Sequence, residues 1–151
     1  MSRQAQTKTP KRTKVLFVCI GNSCRSQMGE ALARHLASDV MEPSSAGLAP
    51  LGEIAHLTEM VLQERGVPID GQYSKGLDEM GSEEAEIIVN MTGTPGRAVL
   101  LGSKARVEDW PVGDPYGEDI DRHRRVCSEI ERRVTDLADR LRRQQAKTEK
   151  R

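Results

Sequence analysis

Apolar positions along this chain fall into two kinds of pattern: short continuous runs, and longer stretches spaced by three and four. The first run, Val15-Leu16-Phe17-Val18, lies in a strand expected over 14–18. A short unbroken run suits a parallel strand buried on both faces. From Arg25 to about Ser38 the spacing becomes helical, with Met28, Ala31, Leu32, His35 and Leu36 forming one inward stripe. His35 on that stripe reads as a packed core histidine. A second strand is expected over Val40 to Ala46, near a sheet edge because Pro43 removes a ladder donor. Ser44 to Gly47 reads as a turn carrying hydroxyls. Glu53 to Arg65 reads as a helix with Ile54, Leu57 and Val61 inward and His56 in solvent. Gly66 ends it just before Pro68.

Further on, Leu77 to Gly81 suggests a short helix, and Glu86 to Asn90 a third buried strand around Ile87-Ile88-Val89. Thr92 to Gly96 is a breaker-rich loop, and a fourth strand falls near Ala105 to Val107. The clearest helix is Asp119 to Arg143. Ile120, His123, Cys127, Ile130, Val134, Leu137 and Leu141 follow a three-four alternation, with charged residues on the other faces. His123 and Cys127 therefore read as core packing. Strands separated by helices predict an α/β three-layer sandwich: a four-stranded parallel sheet, helices on both faces, and a site at the C-terminal strand ends.

Composition changes this picture little. The chain has 151 residues, suiting one core. Residues 1–13 read as a disordered basic leader, 14–143 as a single domain, and 144–151 as a polar, frayed tail. Aromatics are 3%, so the core relies on aliphatic residues and Met. Lys and Arg total 23 against 23 Asp and Glu, which leaves no global field for nucleic acid or a membrane. No apolar run approaches the ~18 residues of a spanning helix, and the N-terminus lacks a signal-type apolar stretch. The expectation is a cytoplasmic protein, a monomer or weak dimer. Cys19, Cys24 and Cys127 make neither a disulfide framework nor, with the three histidines, a metal-ligand spacing. A reducing compartment fits them, and no metal or cofactor is expected.

The chemistry concentrates in Cys19-Ile20-Gly21-Asn22-Ser23-Cys24-Arg25-Ser26, between the first strand and the first helix. A strand-to-helix loop aims several backbone N–H groups at one point, and the helix N-terminus adds a positive dipole end. Gly21 and Asn22 tolerate backbone angles that other residues resist. Arg25 can fork two donors onto a phosphate-like group. These donors favour the thiolate form of Cys19, and Ser26 can give it a hydroxyl hydrogen bond. The loop thus holds a tetrahedral oxyanion above a sulfur nucleophile, as covalent attack at phosphorus requires. Such an attack expels a poor leaving group, so a general acid is wanted on the far side. Asp114, in Asp114-Pro115-Tyr116-Gly117 just before the last helix, is the candidate.

These two motifs resemble the signature loop and acid loop of low-molecular-weight protein tyrosine phosphatases, in order, from about residue 14 to 143. The resemblance implies that fold and a phosphomonoester hydrolase. Cys19 would form a phosphocysteine, Arg25 would bind the phosphoryl group, and Asp114 would protonate the leaving group and then activate water. Asn22, Ser26 and Ser45 would hold the loop and sulfur. Cys24 would be able to pair with Cys19 as a redox guard. The loop is also similar to that of thioredoxin-coupled arsenate reductases, and arsenate is a tetrahedral anion like phosphate. Those reductases relay oxidation through two further cysteines after the third strand. Here Val89-Asn90-Met91-Thr92-Gly93-Thr94-Pro95-Gly96 holds none, which leaves an external thiol as the reductase alternative. Tyr116 and Leu51 are the expected pocket walls. Gly117 replaces a second aromatic, and Ser23 is small. Both features resemble a protein-arginine phosphatase group and make phosphoarginine a candidate beside phosphotyrosine. Intact Cys19, Arg25 and Asp114 argue against a non-catalytic binding module.

Overall fold

The apolar run after Arg12 forms β1 (Thr13–Cys19), a strand whose last five residues are all buried. The computed structural model describes residues 11–80, 84–99 and 103–149. The remaining elements, in chain order, are α1 (Arg25–Ala37), β2 (Met41–Gly47), α2 (His56–Glu64), α3 (Leu77–Met80), β3 (Ile87–Asn90), α4 (Gly96–Val99), β4 (Arg106–Asp109) and α5 (Ile120–Glu149). The four strands are parallel and ordered β2-β1-β3-β4. This is the expected α/β sheet, with β2 at an edge where Pro43 costs no inner ladder bond. The register sets Cys19 beside Gly47 and Val18 beside Asn90, so the C-terminal ends of three strands meet at one rim.

Alternation along β1 divides its side chains between two layers. Val15, Phe17 and Cys19 face the larger one, shared with α1, α2 and α5 residues such as Met28, Leu62 and Leu137. Leu16 and Val18 face a thinner one with Ala46, Ile88 and Leu77. Helix α1 comes very close to the sheet. A Cβ at Gly29 would stand 2.6 Å from the Phe17 ring, and that ring meets Trp110 edge-to-face at 5.9 Å.

Several expectations need correction. His35 and Leu36 are exposed, because the last turn of α1 clears the sheet and only Ala33 and Ala37 still face inward. Ser44 to Gly47 is not a turn: it pairs with Leu16 to Cys19 as the end of β2. Helix α2 begins only at His56, because the residues before it bond to the loop after β1. Residues 96–99 add a short helix where the loop ends. Residues 144–149 continue α5 rather than fraying, and Gln145 Nε2 donates to the Lys11 carbonyl. Thr13 already belongs to β1; residues 1–10 of the expected leader and Gly81 of the short helix lie outside the described residues. No helix among the described residues is long and apolar enough to cross a membrane.

The contact at Gly29 gives a prediction. Gly29→Ala gains ~1 kcal/mol of helix propensity but forces a methyl against a buried ring, an overpacking cost of ~1–3 kcal/mol. A net loss of up to ~2 kcal/mol is expected from urea midpoints; a stabilised variant would contradict the close approach.

Candidate active site

From Cys19 to Cys24 the chain turns out of β1 and into α1 with every carbonyl engaged. The Cys19, Ile20 and Gly21 carbonyls accept from the N–H groups of Leu48 (3.1 Å), Ala49 (2.8 Å) and Leu51 (3.0 Å). Gln27 Nε2 takes the Asn22 carbonyl at 3.1 Å, Ala55 N–H takes that of Ser23 at 3.1 Å, and Met28 N–H that of Cys24 at 2.9 Å. With the carbonyls drawn outward, the amides face the opposite way. Among the described residues, no hydrogen bond is donated to a protein acceptor by the N–H of Gly21, Asn22, Ser23 or Cys24. The first turn of α1 has no side-chain cap and no acidic residue. A cup of free donors at a helix N-terminus is an anion site. Asn22 supports the turn at φ 49°, a left-handed angle. Gly47 leaves room for it, since a Cβ there would stand 2.8 Å from the Asn22 nitrogen.

A chain of hydrogen bonds leads to the sulfur, and its first links have a fixed direction. Lys75 N–H donates to Asn22 Oδ1 at 2.8 Å, and Gln27 Nε2 donates to the same oxygen at 2.9 Å. Two donors on Oδ1 turn the amide so that Asn22 Nδ2 donates to Ser26 Oγ at 2.7 Å. The Ser26 hydroxyl lies 2.9 Å from Cys19 Sγ and, accepting from Asn22, keeps its own hydrogen for a thiolate there.

Arg25 is buried, and its guanidinium is divided. Nη1 donates to the carbonyls of Met91 and Val112, tying the end of β3 and the segment before Asp114 to α1. Nη2 lies 3.5 Å from Asp114 Oδ2, while Nε is buried with no partner. The Nε–Nη2 edge is the bidentate face that matches two oxygens of a tetrahedral anion. The Asp114 carboxylate is half-exposed, and its Oδ1 accepts the Tyr116 N–H at 3.1 Å. Cys19, Arg25, Ser26 and Asp114 are thus gathered at one place. Leu51 lies over Gly21, with its Cγ 3.0 Å from where a Gly21 Cβ would be. Ile20, Leu48, Leu51 and Tyr116 are exposed apolar side chains on the loops around the cup.

Some residues at this site were invisible in the sequence pattern. Gln27 is fully buried and donates to Asn22 and to the Tyr73 carbonyl at 3.0 Å; Gln72 Nε2 donates to Gln27 Oε1 at 2.7 Å. The Lys75 ammonium is also buried, 3.0 Å from the Tyr73 carbonyl, 3.4 Å from Ser45 Oγ and 3.7 Å from Glu30 Oε1. Burial pulls the Lys75 amine below its ordinary range, and the Glu30 carboxylate opposes that. Ser45 differs from expectation: its hydroxyl donates to Glu30, and no bond joins it to Asn22 or Ser26. All three cysteines are free thiols. Burial pushes Cys24 and Cys127 up to about 11. Among the described residues no three His, Cys, Asp or Glu side chains cluster as metal ligands.

A parallel α/β sheet whose first strand ends in a thiol beneath an amide cup, with an arginine six residues on in the cup wall, defines a class of oxyanion-handling enzymes. The sequence profile described as low molecular weight phosphotyrosine protein phosphatase matches residues 14–147, and the chain belongs to that family. The glutaredoxin arsenate reductase of Synechocystis is 31% identical over 129 residues, covering 82% of this chain and 95% of its own. Among solved structures, an arginine phosphatase from Geobacillus stearothermophilus superposes with TM-score 0.80 at 26% identity, over 89% of this chain and 96% of its own. An arsenate reductase in the phosphate binding state gives TM-score 0.76 at 27% identity, over 85% and 98%.

The cup predicts selective protection. Inorganic phosphate at millimolar concentration should slow iodoacetamide alkylation of Cys19 and leave Cys24 and Cys127 unaffected, as read by peptide mass mapping. Equal Cys19 rates with and without phosphate would count against an anion seated over the sulfur.

Proposed function

We propose that the protein hydrolyses phosphorylated proteins through a phosphocysteine on Cys19. The observation that carries this reading is the position of Asp114. Its carboxylate stands beside the free Arg25 edge at the cup's mouth, where a leaving group departs from a phosphoryl group bound in the cup. In the first step the Cys19 sulfur attacks phosphorus, the bond to the leaving oxygen or nitrogen breaks, and Asp114 delivers a proton to that atom. In the second step Asp114 takes a proton from water, the water oxygen attacks phosphorus, and the S–P bond breaks to release inorganic phosphate. The loop amides and the Arg25 Nε–Nη2 edge hold the equatorial oxygens throughout.

Phosphoarginine stands beside phosphotyrosine as the side chain attacked. Ser23 is small, and Gly117 follows Tyr116, so the mouth offers one phenol ring rather than two for stacking. The arginine phosphatase likeness supports the same choice.

Arsenate reduction is the second reading, favoured by the name of the Synechocystis relative. Reducing arsenate to arsenite takes two electrons, supplied when two thiols become a disulfide. Cys127 is sealed in the core and Met91 to Pro95 contains no cysteine, so Cys19 would need Cys24 or an external thiol as its partner.

One comparison separates the readings. Purified protein is given phosphotyrosine peptide, phosphoarginine peptide, or arsenate with glutathione and glutaredoxin. Phosphate release from a peptide, abolished in Cys19→Ser, is expected. Thiol-dependent arsenate reduction with no release from either peptide would replace the hydrolase reading. Asp114→Asn should slow hydrolysis by ~10²–10⁴-fold for poor leaving groups and much less for an activated aryl phosphate. A uniform loss across leaving groups would exclude a proton donor at 114.

A further inference from the structure

Lys75 has no part in the steps above, yet it joins several of the site's supports. Its N–H holds Asn22 Oδ1, and its carbonyl accepts from Gly47 N–H at 3.0 Å, where β2 ends. Its ammonium reaches the Tyr73 carbonyl in its own segment, Ser45 Oγ on β2 and Glu30 on α1. The Tyr73 ring covers it at 4.7 Å. A buried ammonium is costly unless its surroundings return that cost. Neutralising Glu30 alone does not require it, because Arg34 already pairs with Glu30 Oε2 at 2.7 Å.

The other ties of this segment to the loop are thin. Ser74 Oγ is 3.3 Å from the Gly21 carbonyl, while Gln72 bonds Gln27 and Arg34 and Tyr73 accepts from Gln27, all on α1 rather than in the loop. Residues 72–75 carry no helix or strand of their own; the single bridge beyond them is Gly76 to Gly47. Free to drift, the segment would withdraw the Lys75 N–H from Asn22. The Asn22 amide would then lose one of the two donors that set its direction.

We propose that Lys75 is a positioning residue for the Cys19 sulfur: its ammonium locks residues 73–75 against α1 and β2, so that the Lys75 N–H orients Asn22 and thereby aims the Ser26 hydroxyl hydrogen at Cys19. This rests on Cys19 being the nucleophile. The charge acts at a distance through a chain of three hydrogen bonds, and Lys75 touches neither substrate nor sulfur.

The test is Lys75→Met in the full chain, which keeps the volume and removes the charge. Site-resolved iodoacetamide alkylation of Cys19 between pH 6 and 10 is followed alongside aryl phosphate turnover and Tm. Loss of one charge-directed hydrogen bond should lower Cys19 alkylation at pH 7 roughly tenfold, with the difference vanishing at pH 10. Turnover at pH 7 should fall in parallel with little change in KM. Lys75→Gln, which keeps a donor for the Tyr73 carbonyl without charge, gives the same readout should the Met variant not fold. In a Glu30→Gln, Lys75→Met double variant the rate should stay low. Recovery there would mean that Lys75 merely balances Glu30, and it would overturn the proposal. So would a lowered Tm with unchanged Cys19 alkylation at pH 7. Cys19 alkylated no faster than Cys127 in the unaltered protein would overturn the nucleophile reading, and this inference with it.

Discussion

Between Cys19 and Cys24 the peptide groups cannot bond to one another, because the turn out of β1 and into α1 is too tight for a ladder or a helical bond. Their carbonyls find partners in residues 48–55, in Gln27 and in Met28, and this fixes which way each peptide plane faces. The amides are left converging on one point without protein acceptors. N–H groups that converge at a helix N-terminus favour a bound anion. The dipole of α1 and the unpartnered Arg25 Nε act in the same direction. The anion site is thus the remainder after the rest of the loop has been satisfied.

A second layer of polar groups decides how the sulfur sits beneath that anion. Asn22 receives two donors on one oxygen and presents its nitrogen to Ser26, whose hydroxyl in turn lies against Cys19 Sγ. Fully satisfied buried networks of this kind hold a single arrangement, since every alternative orphans a polar atom. Phe17, Met28 and Leu32 close the apolar side and exclude competing water.

Phosphoryl transfer and arsenate reduction share everything described so far, because both begin with a tetrahedral anion over a thiolate. They part at the second step, where one needs a proton and a water, and the other needs a second sulfur. Asp114 at the mouth suits the first. Cys127, sealed in the core on α5, does not supply the second. The family contains both chemistries, and membership alone does not choose between them.

The amino-acid order by itself determined whatever is local. β1, the loop and α1 are contiguous, so Cys19, Arg25 and Ser26 and their anion-facing geometry follow from spacing alone. The periodicity of α5 named its buried stripe from Ile120 to Leu141, and Pro43 marked β2 as an edge. Tertiary structure decided everything that depends on distant segments meeting. His35 is exposed although its spacing fits the stripe, because the sheet ends before α1 does. Ser45 serves Glu30 rather than Asn22 because Lys75 lies between β2 and α1. Lys75, Gln72 and Tyr73 carry no motif: a hydrogen bond from residue 75 to residue 22 leaves no periodic trace, since it depends on where two loops happen to touch.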